Sequence, residues 1–278
     1  MPFWAKIGGM NESPLVSCLM VTSAQATRLG FIEKSVRCFL DQTYPSRELV
    51  IVLDQPKASD KSALMEMLAS LGASNIRVVE VSEKKNLGSL RNRSISEARG
   101  SILCGWDDDD ISHRRRLQFQ YDGLVKEGAD VTYLQNVFHF FPSTKELFLT
   151  NWSKLPHRQG HPASLMFKKE CAPKYPEEGP ESQKGEDVVV LEWFRAHHKV
   201  AFLNSPPSMY VYIFHGGNTW QYDHHKDLAL VLAESREFLV PNFKAVSNWI
   251  KEARLNEPMI LLSDSMGPVQ MLVYQQAS

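Results

Sequence analysis

Four aspartates stand in a row, Asp107 to Asp110, in "CGWDDDDIS" (residues 104–112), directly after an apolar run. Two carboxylates about 6 Å apart repel by roughly 0.7 kcal/mol in water and by about 3 kcal/mol at an effective dielectric of 20. Such a run needs a cation, hydrogen-bond donors or full exposure, and exposure is the ordinary fate of a charge run. Its place at the end of the apolar "SILCGW" argues for a cation, because ligands of open α/β sheets gather beyond the carboxyl ends of strands. If the strand continues through the run, Asp107 and Asp109 point to one side, and Asp108 and Asp110 to the other. Two carboxylates on one side form a hard-oxygen site for Mg²⁺ or Mn²⁺. Asp110 is then free to cap the next helix.

Other groups fall at comparable points. Asp54 and Gln55 close an apolar strand. "NLGSLRNRS" (86–94) offers Gly88 for close backbone approach, a helix N-terminus, Arg91 and Arg93, which together suit a phosphate; an ordinary helix with exposed arginines is the alternative. "GED" (185–187) opens a helix, where Glu186 and Asp187 either favour the dipole or do chemistry. His215 follows an apolar strand in "YVYIFHGGNTW" (210–220), and neutral imidazole suits Mn²⁺. Trp152 and His161 lie in a loop, either stacking on a ligand or covering the core. His197-His198 and His224-His225 are read as surface residues, because adjacent residues on a helix do not face one another.

Positioning these groups takes alternating strands and helices. Apolar runs at 15–21, 48–53, 76–81 and 101–106 read as buried strands. Between them, helical periodicity covers 30–42, 60–71 (with Asp60 as a cap) and 87–98, and a further helix covers 113–127. Units of this kind are βαβ crossovers and predict an α/β fold with a mostly parallel central sheet and helices on both faces. A hairpin at 135–141 and 146–151, strands at 163–167, 199–203 and 209–214, and helices at 185–197, 222–239 and 243–255 follow. The expected organisation is one domain over 1–221, in two halves at 13–130 and 131–221. A helical extension over 222–278 packs on the same domain.

Composition excludes several classes. The chain has 278 residues, 43% hydrophobic and 23% charged, with net charge −1, so no global field recruits nucleic acid. Cys18, Cys38, Cys104 and Cys171 are far apart without a C-x-x-C pair, which fits a reducing cytoplasm and neither a disulfide framework nor a structural zinc site. The opening "MPFWAKIGGMNESP" lacks the apolar core of a signal peptide. No stretch approaches the roughly 20 apolar residues of a membrane span; peripheral contact at the inner membrane face stays open.

The order "PLVSCLMVT", "QTYP" before strand two, an Asp closing that strand, "NLGSLRN", and then D-x-D resembles family 2 glycosyltransferases, which have the GT-A fold. The resemblance runs over roughly residues 13–215, and it implies that 13–130 is a nucleotide-sugar-binding half and 131–221 an acceptor-binding, catalytic half. It implies a metal-dependent, inverting transfer from a nucleotide sugar, most simply a UDP-sugar, to a glycan, lipid-linked or other hydroxyl acceptor, with Mn²⁺ or Mg²⁺ as cofactor. It implies that Asp54 meets the base; Leu53 stands where the family has a first acidic residue. Arg91 then contacts the diphosphate, Asp107 the ribose or the metal's water shell, and Asp109 ligates the metal, with His215 as a further metal ligand or a diphosphate contact. Thr22, Asn86, Gly88, Asp108, Glu186 and His161 are implied on the donor side, and Asp187 as catalytic base. Two rivals remain. A nucleotidyltransferase of related fold carries a glycine-rich loop after strand one, which "TSAQATRLG" is not. A silent sugar-nucleotide or glycan-binding module has no need of both D-x-D and GED.

Overall fold

A computed structural model describes residues 13–72, 75–255, 257–265 and 267–272. The opening segment, expected to be no signal peptide, lies outside these residues except for its last two. Strands β1 (Val16–Thr22), β2 (Arg47–Asp54), β3 (Ile76–Val81) and β4 (Ile102–Gly105) run parallel, with β1 between β4 and β2. Nearly every residue of β1 and β2 is buried, as strands covered on both faces require. The coverings are α1 (Leu29–Leu40), α2 (Ala58–Ser70) and α3 (Leu87–Glu97). Helix α1 buries Ile32, Val36 and Phe39, spaced four and three residues apart on one face. Helix α2 corrects one expectation: its N-cap is Lys57, and Asp60 lies inside the first turn, favouring the dipole without capping.

The sheet is completed by β6 (Val131–Leu134), β9 (Met166–Lys168) and β10 (Val200–Leu203), in the order β10-β6-β9-β4-β1-β2-β3. Only β9 is antiparallel to its neighbours. Helices α4 (Arg116–Glu127) and α5 (Glu186–His197) flank this part. Strand order reverses between β1 and β4, since the chain leaves β1 for β2 and β3 and returns on the other side of β1. A crevice at the carboxyl ends follows from that switch.

A second sheet, β13-β12-β8-β7-β11-β5, stands beside the first. It contains β5 (Ile111–Ser112), the hairpin β7 (Asn136–Phe141) and β8 (Glu146–Asn151), and β11 (Tyr210–Ile213). The tail carries α6 (Tyr222–Leu232), α7 (Arg236–Leu239) and α8 (Phe243–Glu252), and then β12 (Met259–Leu262) and β13 (Pro268–Leu272). The tail is therefore not only helical: β12 pairs with β8 and extends the sheet. The single helix expected over 222–239 is two, because Ala233 bridges Thr150 and Ser235 then caps α7 by accepting from the Phe238 N–H. No helix among the described residues is long and apolar enough to cross a membrane.

Candidate active site

A cleft of about 570 Å³ opens at the switch point. Thr22, Asp54, Arg91, Asp107, Asp108, Asp109, His161, Glu186 and Asp187 all line it. Two loops at its edge carry non-glycine residues in the left-handed region, Ala24 after β1 and Gln55 after β2 (φ 54° and 42°). Such conformations persist where surrounding structure enforces them, and they cluster at functional sites.

The four aspartates have four different surroundings. Asp107 lies 3.8 Å from Arg91 Nη1, and burial raises its pKa to about 6. Asp108 does not face away from the cleft, as simple strand alternation predicts. The chain leaves strand geometry after Gly105, and Asp108 turns into the cleft as the partner of Arg28. Asp109 Oδ2 accepts from Arg28 Nη2 at 2.9 Å and from His215 Nε2 at 2.9 Å. These donors hold Asp109 below the usual carboxylate range against the upward push of burial. Asp110 is no helix cap, because α4 begins only at Arg116. It accepts from the Tyr210 hydroxyl and from the Ile213 N–H at 2.9 Å. Burial, with Asp109 and Asp107 close by, pushes Asp110 well above the carboxylate range. Asp110 therefore braces the acidic run against β11, and that brace sets His215, two residues beyond β11, beside Asp109.

Counter-charges complete the arrangement. Arg91 Nε donates to Glu186 Oε1 at 2.9 Å, so one guanidinium joins α3, the acidic run and the start of α5. Arg116, 1% exposed, donates to the Gly105 carbonyl and the Ser112 hydroxyl behind the run, and its guanidinium lies 4.6 Å from the Tyr210 ring centroid. Neither Arg116 nor Arg28 carries a sequence pattern that marks it for this role. Asp187 sits in the first turn of α5 and accepts from the Val188 N–H at 2.9 Å. Burial, then Glu186, raises its pKa, and Arg91 opposes them. Asp54 is raised by burial too, and its Oδ1 is buried with no partner among the described residues.

Two expected donor contacts belong to packing instead. Asn86 caps α3 by accepting from the Ser89 N–H, and its amide donates to the Glu177 carbonyl. Gly88 does permit a close approach, but the approach is to the protein's own chain: a Cβ there would lie 1.8 Å from the Pro176 carbonyl oxygen. Gly88→Ala is expected to destabilise the fold by about 1–3 kcal/mol, the usual cost of overpacking. Urea denaturation checks this, and an unchanged midpoint would contradict it.

His225 is buried at the cleft wall and not on the surface, whereas His224 is exposed and stacks on Trp220. Trp152 is buried beside His161. Among the described residues, Asp130, Cys171 and His198 bring ligand-type atoms within 4.8 Å of one another, with Asp130 at the amino end of β6, away from the cleft. Asp130 is already paired there with Lys168 at 2.8 Å.

The sequence matches the family described as glycosyl transferase family 2 over residues 25–171, more than half of the chain. It is 30% identical to an uncharacterized glycosyltransferase of Methanocaldococcus jannaschii over 134 residues, 48% of this chain and 44% of that protein. It is 27% identical to the putative glycosyltransferase EpsE of Bacillus subtilis over 118 residues, 42% of this chain and 41% of that one. The matches thus span less than half the length of these relatives. Among solved structures, the mannosyltransferase PcManGT of Pyrobaculum calidifontis, in complex with GDP-Man and Mn²⁺, superposes with a TM-score of 0.56 at 14% identity, over 88% of this chain and 71% of that one. TarS 1-349 of S. aureus, in complex with UDP-GlcNAc, superposes at 0.53 and 14%, over 87% and 68%. These likenesses show the fold, a GT-A-type α/β architecture.

Proposed function

The chain belongs to glycosyl transferase family 2, and on that premise we propose that it moves a sugar from a nucleotide donor, favouring a UDP-sugar, to an acceptor hydroxyl with inversion at the anomeric carbon. The observation that carries the reading is the Arg91 bridge. It puts the acidic run and the acids of α5 on one cleft, although about 80 residues separate them in sequence. The unpartnered Asp54 oxygen at the end of β2 is suited to accept an N–H from a base such as uracil.

Asp109 and His215 fit a divalent ion. Carboxylate and imidazole are its ordinary ligands, and Asp109 Oδ2 is already shared between Arg28 and the imidazole. Mn²⁺ or Mg²⁺ held there would supply positive charge beside the departing diphosphate. Asp187 takes the acceptor proton as the acceptor oxygen attacks the anomeric carbon, and the bond from that carbon to the diphosphate oxygen breaks on the opposite face. The raised pKa of Asp187 makes it a better base than an exposed carboxylate. Arg28 and Arg91 line the same cleft and offer fixed positive charge to the leaving group. The acceptor is a glycan, a lipid-linked sugar or another hydroxyl compound. A cytoplasmic setting is supported by the four unpaired cysteines.

Thermal unfolding tests the reading. UDP with Mn²⁺ at about 100 times its dissociation constant is expected to stabilise the protein by about 2.7 kcal/mol, a rise of about 5 °C or more, and UDP alone by less. No shift with any nucleoside diphosphate, with or without metal, would sink the proposal.

A further inference from the structure

Three side chains with metal-ligand chemistry meet at the amino end of the parallel strands, at the opposite end of the sheet from the cleft. They are Asp130 just before β6, Cys171 in the turn after β9, and His198 between α5 and β10. One ligand-type atom from each lies within 4.8 Å of the other two. The sheet places them. The Asp130 N–H donates to the Lys199 carbonyl at 2.8 Å, and the Asp130 carbonyl accepts from the Lys168 N–H at 3.0 Å. Asp130 is thereby fixed between the ends of β10 and β9, which carry His198 and Cys171 with them.

The groups are of three different kinds. Asp130 Oδ1 accepts from Lys168 Nζ at 2.8 Å, and Oδ2 accepts from the Lys199 N–H at 3.1 Å. These bonds hold the carboxyl ionised, below its usual range. His198 Nδ1 stands 3.9 Å from Oδ2, beyond hydrogen-bond reach. Its ring is half-buried against Trp193 and Phe194, with centroids 5.1 and 6.0 Å away, which limits its orientation. Cys171 is a free thiol, 8% exposed. Zn²⁺ takes carboxylate, thiolate and imidazole together, whereas Mg²⁺ and Ca²⁺ prefer oxygen alone. Zinc bonds of about 2.0–2.3 Å put tetrahedral ligand atoms about 3.3–3.8 Å apart, so closure takes about 1 Å of side-chain movement.

We propose that Asp130, Cys171 and His198 bind one zinc-class ion, with water in the fourth position, as a staple between the central sheet and the end of α5. The site goes beyond the glycosyl-transfer reading and takes no part in that chemistry. The twelve residues of α5, about 18 Å of helix, separate His198 from the end that carries Asp187. On binding, the thiol S–H bond breaks, its proton leaves to solvent, and a sulfur–zinc bond forms. The thiolate and the carboxylate balance the ion's two positive charges. Lys168 stays on the other carboxylate oxygen, as an outer partner of the kind ligating carboxylates keep. The lack of a C-x-x-C pair argues against a zinc module of the four-cysteine kind, but one thiol joined by an imidazole and a carboxylate needs no such spacing.

Cobalt is the probe, because a thiolate bound to Co²⁺ gives a charge-transfer absorption in the near ultraviolet that carboxylate and imidazole ligands do not. The reduced full chain titrated with Co²⁺ is expected to develop this band and to saturate it at one ion per chain. Co²⁺ held by Asp109 and His215 adds nothing to it, since no thiolate is there. Cys171→Ser is expected to abolish the band, and His198→Leu to weaken the affinity it reports by at least about tenfold, equivalent to 1.4 kcal/mol. Zn²⁺ at about 100 times its dissociation constant is expected to raise the unfolding midpoint by about 5 °C more in the wild type than in Cys171→Ser. The midpoint rise with UDP and Mn²⁺ is expected to be equal in the two proteins, which separates this site from the cleft. No thiolate band in the wild type, or a band that survives in Cys171→Ser, overturns the inference. So does wild-type Co²⁺ affinity in His198→Leu, or a Zn²⁺ shift of the same size in the wild type and Cys171→Ser.

Discussion

Asp187→Asn is expected to lower the rate of sugar transfer by about 10²–10⁴-fold, the usual contribution of a positioned general base, while leaving donor affinity within about twofold. The substitution keeps the shape of the side chain and keeps an oxygen to accept from the Val188 N–H. It removes a negative charge that Glu186 opposes, and Arg91 retains both Asp107 and Glu186 as partners. Folding therefore has no reason to suffer. What is lost is the basicity of the carboxylate that takes the acceptor proton. Single-turnover transfer measured beside calorimetric binding of the nucleotide sugar separates the two effects. Transfer at the wild-type rate would remove Asp187 from the mechanism. Equal loss of binding and transfer would make it a donor contact instead.

Much of this arrangement is legible without coordinates. The βα alternation shows because strands buried on both faces must be continuously apolar and helices must be apolar every three to four residues. Asp54 is legible because it closes such a strand, and Asp107 and Asp109 because they follow one. What stays hidden depends on contacts between distant segments. Nothing near Asp110 announces Tyr210 and the Ile213 N–H, about 100 residues away, so helix capping was the natural expectation and the wrong one. Arg28 follows β1 in a stretch with no pattern of its own, and only the turn of the chain at Ala24 carries it to Asp108. Gly88 illustrates a subtler limit. The residue type shows that some backbone passes close, but not whether that backbone is a ligand's neighbour or the chain itself. The strands β12 and β13 were missed because short apolar runs after a helical tail carry no periodicity that separates strand from helix.

The acidic run also makes the largest expected effect on metal binding, and it does so through Arg28. Two carboxylates about 5 Å apart repel by about 3 kcal/mol at an effective dielectric of 20. Arg28 relieves this by spanning Asp108 and Asp109. A divalent ion held by Asp109 would therefore share that carboxylate with the protein's own cation, which Asp108 also holds. Two opposite outcomes follow for Mn²⁺, read by the loss of the free-ion signal in electron paramagnetic resonance. Asp109→Asn is expected to weaken Mn²⁺ binding by at least about 100-fold, since a charged ligand becomes a neutral one, and to remove the gain in nucleotide affinity that the metal confers. Arg28→Gln is expected to tighten binding of Mn²⁺ alone by about tenfold, because the competing cation is gone, and to lower the stability of the metal-free protein. The pairing matters, because a general disruption of the cleft would weaken both. Tighter binding in one variant and its loss in the other is the signature of two cations sharing one carboxylate. Undiminished Mn²⁺ affinity in Asp109→Asn would move the ion elsewhere, and the reading of the four aspartates with it.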